Sequence, residues 1–225
     1  MHGMSGRLLG APEEGNAGHI RGSDTRAVTC NRRRFLGALD IEYEHLTLAR
    51  QTHSSNVALA TENDRGRGRP PQFDGFEQTD AIITSTVGLP IAVTVADCAP
   101  IVLYDPVVHA LGVVHAGWRG TVANIVGTTV KAMTTTFGSH PENLLAGIGP
   151  CIGPCCYEVG SEVIENWRML AGGQAEIAVA PGLAERDHFD LWAASQLLLE
   201  DAGLPVTNIH QSDLCVRCNL ERFFS

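Results

Sequence analysis

Two histidines and a cysteine in this 225-residue chain are candidates for shared chemistry: His53 in Gln51-Thr-His53, Cys98 in Ala96-Asp97-Cys98, and His115 in His115-Ala-Gly117-Trp-Arg119-Gly120. Two imidazoles and one thiolate suit a catalytic zinc, because three protein donors leave a fourth tetrahedral position open for water or substrate. The gaps of 45 and 17 residues match no short metal motif. The case rests on setting instead. Cys98 and His115 each follow an apolar, β-branched run, residues 91–95 and 111–114, of the kind that forms a buried strand. Reactive side chains at the carboxyl ends of two neighbouring core strands would meet over one sheet edge.

The flanking residues extend this set. Gly117, Arg119 and Gly120 form a glycine-rich bend ahead of a helix expected from its cap Thr121. Free backbone N–H groups and a guanidinium there could hold phosphate or a developing oxyanion; a tight turn with an exposed arginine is the plainer alternative. Gln51 joins Arg119 and Gly117 as a candidate substrate- or phosphate-binding residue, and Trp118 reads as a stacking face or a core residue. Strand neighbours point to opposite faces, so Asp97 and Cys98 share a pocket only if their strand has ended, as Ala99-Pro100 suggests. Asp97 is then a proton shuttle or a histidine orienter, or else a turn cap.

The remaining thiols read as structural. Residues 149–159 hold Cys151 and the adjacent pair Cys155 and Cys156, which look like small buried thiols rather than ligands of one metal. Cys215-Val-Arg-Cys218 lacks the second half of a zinc knuckle and any thioredoxin-like context, so no metal is expected there, with a structural or redox pair as the alternative.

Positioning elements can be read along the chain. Strands are expected over residues 45–48, 57–60, 80–84, 91–95, 101–104, 111–114 and 144–148. Helical spacing runs through Val122, Ile125, Val126, Val130, Met133 and Phe137 to a stop at Gly138. Further helices fit residues 31–39, 161–170, and a segment capped by Asp190 that ends at Gly203-Leu-Pro205. The expected class is a mixed α/β single domain over 16–225, behind a loose amino end at 1–15. Residues 62–75, rich in Arg, Gly and Pro, are a surface loop.

Hydrophobic residues at 44% and charged ones at 18% are ordinary for a soluble domain. A net charge of -9 argues against nucleic-acid and membrane partners, and Arg32-Arg33-Arg34 reads as a solvated helix face. No apolar run is long enough to span a bilayer and the start lacks the order of a secretory signal, so a cytoplasmic location is expected. Seven cysteines, an odd number, fit thiols or ligands better than a disulfide framework.

Together with Thr79-Asp-Ala81 and residues 215–224, these motifs resemble the laccase-domain family, also labelled polyphenol oxidase, peptidoglycan editing factor or multifunctional purine nucleoside enzyme. The match runs in order from about Asn16 to the end of the chain, only loosely over residues 15–20, and it halts where relatives usually continue; a truncated form is one expectation. The resemblance implies mixed sheets between helices, as in cysteine-hydrolase-like toxin domains, and a zinc on His53, Cys98 and His115. It implies phosphorolysis of adenosine, inosine and methylthioadenosine and deamination of adenosine, with nucleoside and phosphate as partners and a monomer or small homo-oligomer as the working state. A cysteine-type amide hydrolase with Cys98 as nucleophile, and a copper-dependent phenol oxidase, stay as alternatives. A trinuclear copper cluster is not expected, because no two of the nine histidines are separated by a single residue.

Overall fold

The computed structural model describes residues 2–19, 22–182 and 186–225; Met1, Ile20, Arg21 and 183–185 lie outside the described residues. The strands are β1 (Thr47–Leu48), β2 (Val57–Leu59), β3 (Ala81–Thr84), β4 (Ile91–Ala92), β5 (Ala99–Asp105), β6 (Ala110–Ala116), β7 (Leu145–Ile148), β8 (Val179–Ala180), β9 (His188–Phe189) and β10 (Ile209–Gln211). The helices are α1 (Thr25–Gly37), α2 (Trp118–Val122), α3 (Ile125–Phe137), α4 (Ser161–Ala171) and α5 (Leu191–Asp201). Six strands form one mixed sheet in the order β10-β7-β5-β6-β3-β2, antiparallel at its centre and parallel at both edges. The expected mixed α/β class is what the chain adopts.

β3 and β6 are buried on both faces, whereas β5 and β7 alternate, burying every second residue against the main core and leaving Tyr104, Leu145 and Gly147 exposed. Ala81, Ile83, Ile101, Leu103 and Val114 join the main core with Ile125, Met133, Trp167 and Leu198 of α3, α4 and α5. Ile82 and Val113 face the other way, against Ala60 and Leu89, with Phe76, Ile91 and Val93 packed around them.

Several expectations need correction. Residues 91–95 do not form a core strand: only Ile91 and Ala92 pair, in parallel, with Thr47 and Leu48 of β1. Pro100 does not end a strand but lies near the start of β5, where its missing N–H costs least; its carbonyl accepts from Gly149 N at 2.8 Å. Thr121 is not a cap. It lies inside α2, with its hydroxyl donating to the Gly117 carbonyl, while Gly117 is the N-cap. The single expected helix is two, separated by Asn124, whose left-handed backbone (φ 55°) and side-chain bond to Gly127 N start α3. Gly138, also left-handed, ends α3 as expected, and Asp190 caps α5 through Trp192 N and Ala193 N.

Helix α1 begins six residues early, at Thr25 behind the cap Asp24. Arg32 is not on a solvated face: it is buried and donates to the Ala17 carbonyl at 2.7 Å, whereas Arg33 and Arg34 are exposed. The amino segment, expected loose, is tied to the other end of the chain by Arg7 N to Arg222 O (2.6 Å) and the Arg7 guanidinium to Leu220 O (2.7 Å). Among the described residues no helix is long and apolar enough to cross a membrane.

Asn124→Ala removes a cap and leaves a β-carbon in a left-handed conformation, so unfolding free energy should fall by about 1–3 kcal/mol. Asn124→Gly, which relieves the strain, should fall less. Urea denaturation of the two variants checks the order; equal losses would mean that the backbone conformation carries no strain.

Candidate metal centre

The hairpin of β5 and β6 sets two of the three candidate ligands. Its register pairs Ala99 with Ala116 and Pro100 with His115, so the amino end of β5 and the carboxyl end of β6 lie on the same edge. Cys98 precedes β5 there. The expected meeting of Cys98 and His115 is therefore real, but it arises from antiparallel neighbours rather than from two carboxyl ends.

His53 arrives from the turn between β1 and β2, with a left-handed backbone (φ 61°) unusual for a residue with a side chain. Asp80, just before β3 and wholly buried, explains how that conformation is held. Its carboxylate accepts from the backbone N–H of Thr52 (3.1 Å), His53 (3.0 Å) and Ser54 (2.7 Å), and from the Ser54 hydroxyl (2.7 Å). The same carboxylate takes the Nδ1 of His115 at 2.8 Å, and the Asp80 carbonyl accepts from His115 N at 2.7 Å. One acid thus fixes the backbone of one candidate ligand and the ring of another.

The donor atoms of His53, Cys98 and His115 lie within 4.8 Å of one another, and the two imidazoles meet edge-on with centroids 4.9 Å apart. With Nδ1 committed to Asp80, His115 has Nε2 for a metal, the carboxylate–histidine arrangement that orients metal-binding imidazoles. Burial would raise the Asp80 carboxyl, but the hydrogen bonds from His115 and Ser54 override it and hold the group well below the usual carboxylate range. Burial opposes charge on His115 too, yet its bonds to Asp80 and Cys98 raise its pKa to about 9. His53 moves the other way, lowered by burial and by the neighbouring His115. The donor set and its carboxylate support fit one tetrahedral ion with an open position.

Gly117 lines this centre at contact distance: a β-carbon on it would lie 2.8 Å from the Cys98 sulfur and 2.9 Å from the His53 ring. Arg119 is exposed, stacks over the Trp118 ring at 4.3 Å, and adds to the charge that lowers His53. It belongs to a five-residue helix, α2, rather than to a bend ahead of a long one. Asp97 accepts from the Ser225 hydroxyl at 2.6 Å. Gln51 spends its amide elsewhere, bonding the Thr94 carbonyl and N–H at 2.8 Å each. Sequence reasoning gave no role to Tyr157, whose pKa is pushed up to about 12 by burial and by Cys98 and Asp97 nearby. It gave none to Asp80 either, although a carboxylate entering an all-apolar strand needs partners, and that was a usable signal.

Cys155, Cys156, Cys215 and Cys218, kept apart in the sequence reading, converge. Their sulfurs also lie within 4.8 Å of one another; Cys155 is exposed and Cys156 half-buried where both were expected buried, and Cys218 is exposed.

Residues 2–225 match the family described as multi-copper polyphenol oxidoreductase laccase. The chain belongs to that family. Adenosine deaminase RL5, from an unknown prokaryotic organism, is 37% identical to this laccase-family chain over 204 residues, spanning 91% of this chain and 78% of that protein. Purine nucleoside phosphorylase YlmD of Bacillus subtilis (strain 168) is 34% identical over 207 residues, spanning 92% and 74%. Among solved structures, YlmD from Geobacillus stearothermophilus superposes with a TM-score of 0.91 at 32% identity, covering 100% of this chain and 82% of that one. Bacillus licheniformis hypothetical protein YfiH gives 0.92 at 32%, covering 98% and 83%.

Asp80→Asn should weaken metal affinity about 10–100-fold, read by competition with a chelator. Its pH dependence has a definite sign. A carboxyl depressed in the fold adds stability that is fully present above about pH 4 and is lost as pH falls, so the variant should lose less stability than the parent on acidification. Gly117→Ala should lower bound metal while circular dichroism stays native; an unchanged metal content would mean that the ligands can yield to the added methyl.

Proposed function

We propose that this chain is a zinc-dependent purine nucleoside enzyme, deaminating adenosine and cleaving adenosine, inosine and methylthioadenosine with phosphate. The observation that carries the reading is the convergence of His53, Cys98 and His115 under the control of Asp80. The names of the two relatives, an adenosine deaminase and a purine nucleoside phosphorylase, support the substrate class. Zinc suits two imidazoles and a thiolate better than harder cations do; copper is the other ion this donor set accepts.

His53, Cys98 and His115 would hold the metal, which would supply Lewis-acid chemistry there. The chain's own groups handle the rest. In deamination, the oxygen of water bonds C6 of the purine and ammonia leaves; of the two water protons, one ends on N1 of the purine and Asp97 carries the other to the departing amine. In phosphorolysis, a phosphate oxygen bonds C1′ of the ribose as the bond to the base breaks, and the base takes up the proton that the hydrogen phosphate gives up. The Arg119 guanidinium, exposed and without a hydrogen bond or ion pair among the described residues, holds the phosphate. Tyr157, with its pKa near 12, stays protonated at neutral pH and donates to the substrate.

Product analysis by mass spectrometry, from adenosine with and without phosphate, tests this. Inosine alone without phosphate, and free purine base with ribose phosphate when it is present, are the expected outcomes. Cys98→Ala or His115→Ala should remove most of the metal and the turnover. Arg119→Ala should damage the phosphate-dependent reaction more than deamination, since only the former needs the anion held. Full metal and full activity in Cys98→Ala would sink the reading, and full activity in chelated protein would turn attention to Cys98 as a nucleophile.

A further inference from the structure

A second cluster of sulfur lies outside the His-Cys-His set, and two chain segments distant in sequence build it. Strands β7 and β10 run parallel, with Ile148 opposite Gln211. The pairing continues beyond both strands: Ser212 N donates to Ile148 O (3.0 Å), Cys151 bridges to Cys215, and Val216 N donates to Cys151 O (2.9 Å). This lays the turn carrying Cys155 and Cys156 against the one carrying Cys215 and Cys218.

The resulting sulfur geometry is that of a ligand cage. Cys218 Sγ lies 3.6 Å from Cys155 Sγ and 3.5 Å from Cys156 Sγ, and all four sulfurs fall within 4.8 Å of one another. With metal–sulfur bonds of about 2.3 Å, the edge of a tetrahedral zinc tetrathiolate is about 3.8 Å, close to these separations. Disulfides, at about 2.05 Å, are far shorter, and all seven cysteines are free. The adjacency of Cys155 and Cys156 is no obstacle, because both sulfurs reach Cys218. A backbone donor is aimed at the cluster as well: Gly153 N–H points to Cys215 Sγ at 3.2 Å, the kind of support a thiolate receives beside a metal. Gly153 itself is wedged between Trp192 and Cys215, where a β-carbon would come within 2.8 Å of the indole.

We propose that Cys155, Cys156, Cys215 and Cys218 bind one zinc ion as a structural site. Four protein donors leave no open position, in contrast to the three-donor set around His115. The zinc clamps the loop after β7 to the chain's last residues. Those residues hold the amino segment through Arg222 O and Leu220 O, and reach Asp97 through Ser225, so the clamp steadies one flank of the first metal centre. The assignment does not depend on the nucleoside reading, because its evidence is the thiols alone.

The test is zinc stoichiometry by elemental analysis, on protein loaded with zinc alone under reducing conditions. The parent chain should hold two zinc ions, and His115→Ala should retain one. Cys215→Ser/Cys218→Ser should lose one relative to the parent. Should that variant fail to fold, cobalt(II) titration of His115→Ala serves instead: thiolate-to-cobalt charge-transfer bands with intense tetrahedral visible bands are expected, unlike the weak spectrum of cobalt on oxygen or nitrogen donors. A folded His115→Ala chain with no zinc and no such bands overturns the site. So does peptide mapping of the reduced, zinc-loaded protein that finds these cysteines freely alkylated at the rate of an unfolded control.

Discussion

The candidate centre depends on one buried carboxylate. Asp80 lies at the entrance to a fully buried strand, where an unpartnered charge would cost several kcal/mol, and it is satisfied by three backbone N–H groups, a hydroxyl and an imidazole. These partners are the candidate centre's own scaffold. The turn that wraps the carboxylate presents His53 in a backbone conformation it would not otherwise keep, and the imidazole that pairs with it is His115. The burial requirement of one acid is thereby converted into the relative placement of two ligands from chain segments 62 residues apart.

The third ligand comes from the hairpin. Antiparallel pairing returns the chain to the edge it left, so Cys98 before β5 and His115 near the end of β6 become neighbours without any crossover. The bend after β6 must then pass the sulfur closely, and glycine at 117 is the residue that allows it. His115 carries both constraints, through its ladder partner Pro100 and its side-chain partner Asp80. A centre tied this way is rigid on the His115 side and more open on the side of His53, which is exposed.

The ends of the chain are also part of this architecture. The amino segment hydrogen-bonds the carboxyl-terminal one, and the last residue reaches the acid next to Cys98. The two sulfur-containing sites therefore share a wall: Ile152 N donates to Asp97 O at 2.8 Å, linking the loop of Cys155 and Cys156 to the residue before Cys98.

Local patterns in the sequence determined much of this. The apolar runs of β3 and β6 state their burial, Asp190 marks a helix start by its side chain and Gly138 a helix end by its backbone freedom, and His53, Cys98 and His115 are recognisable as candidate metal donors by residue type. Whatever depended on a distant partner was not legible. Residues 91–95 look like a core strand, but a strand's length is set by the neighbour available to pair, and β1 offers only Thr47 and Leu48. Arg32 looks solvated until the Ala17 carbonyl is brought to it. Cys155-Cys156 reads as a pair of small buried thiols and Cys215-x-x-Cys218 as a knuckle without its second half, because convergence is a property of four sulfurs in space and the parallel pairing of β7 with β10 unites them. The sequence supplied the donors by type; tertiary pairing decided which donors meet, since hydrogen bonds and coordination act over a few ångströms and carry no memory of separation along the chain.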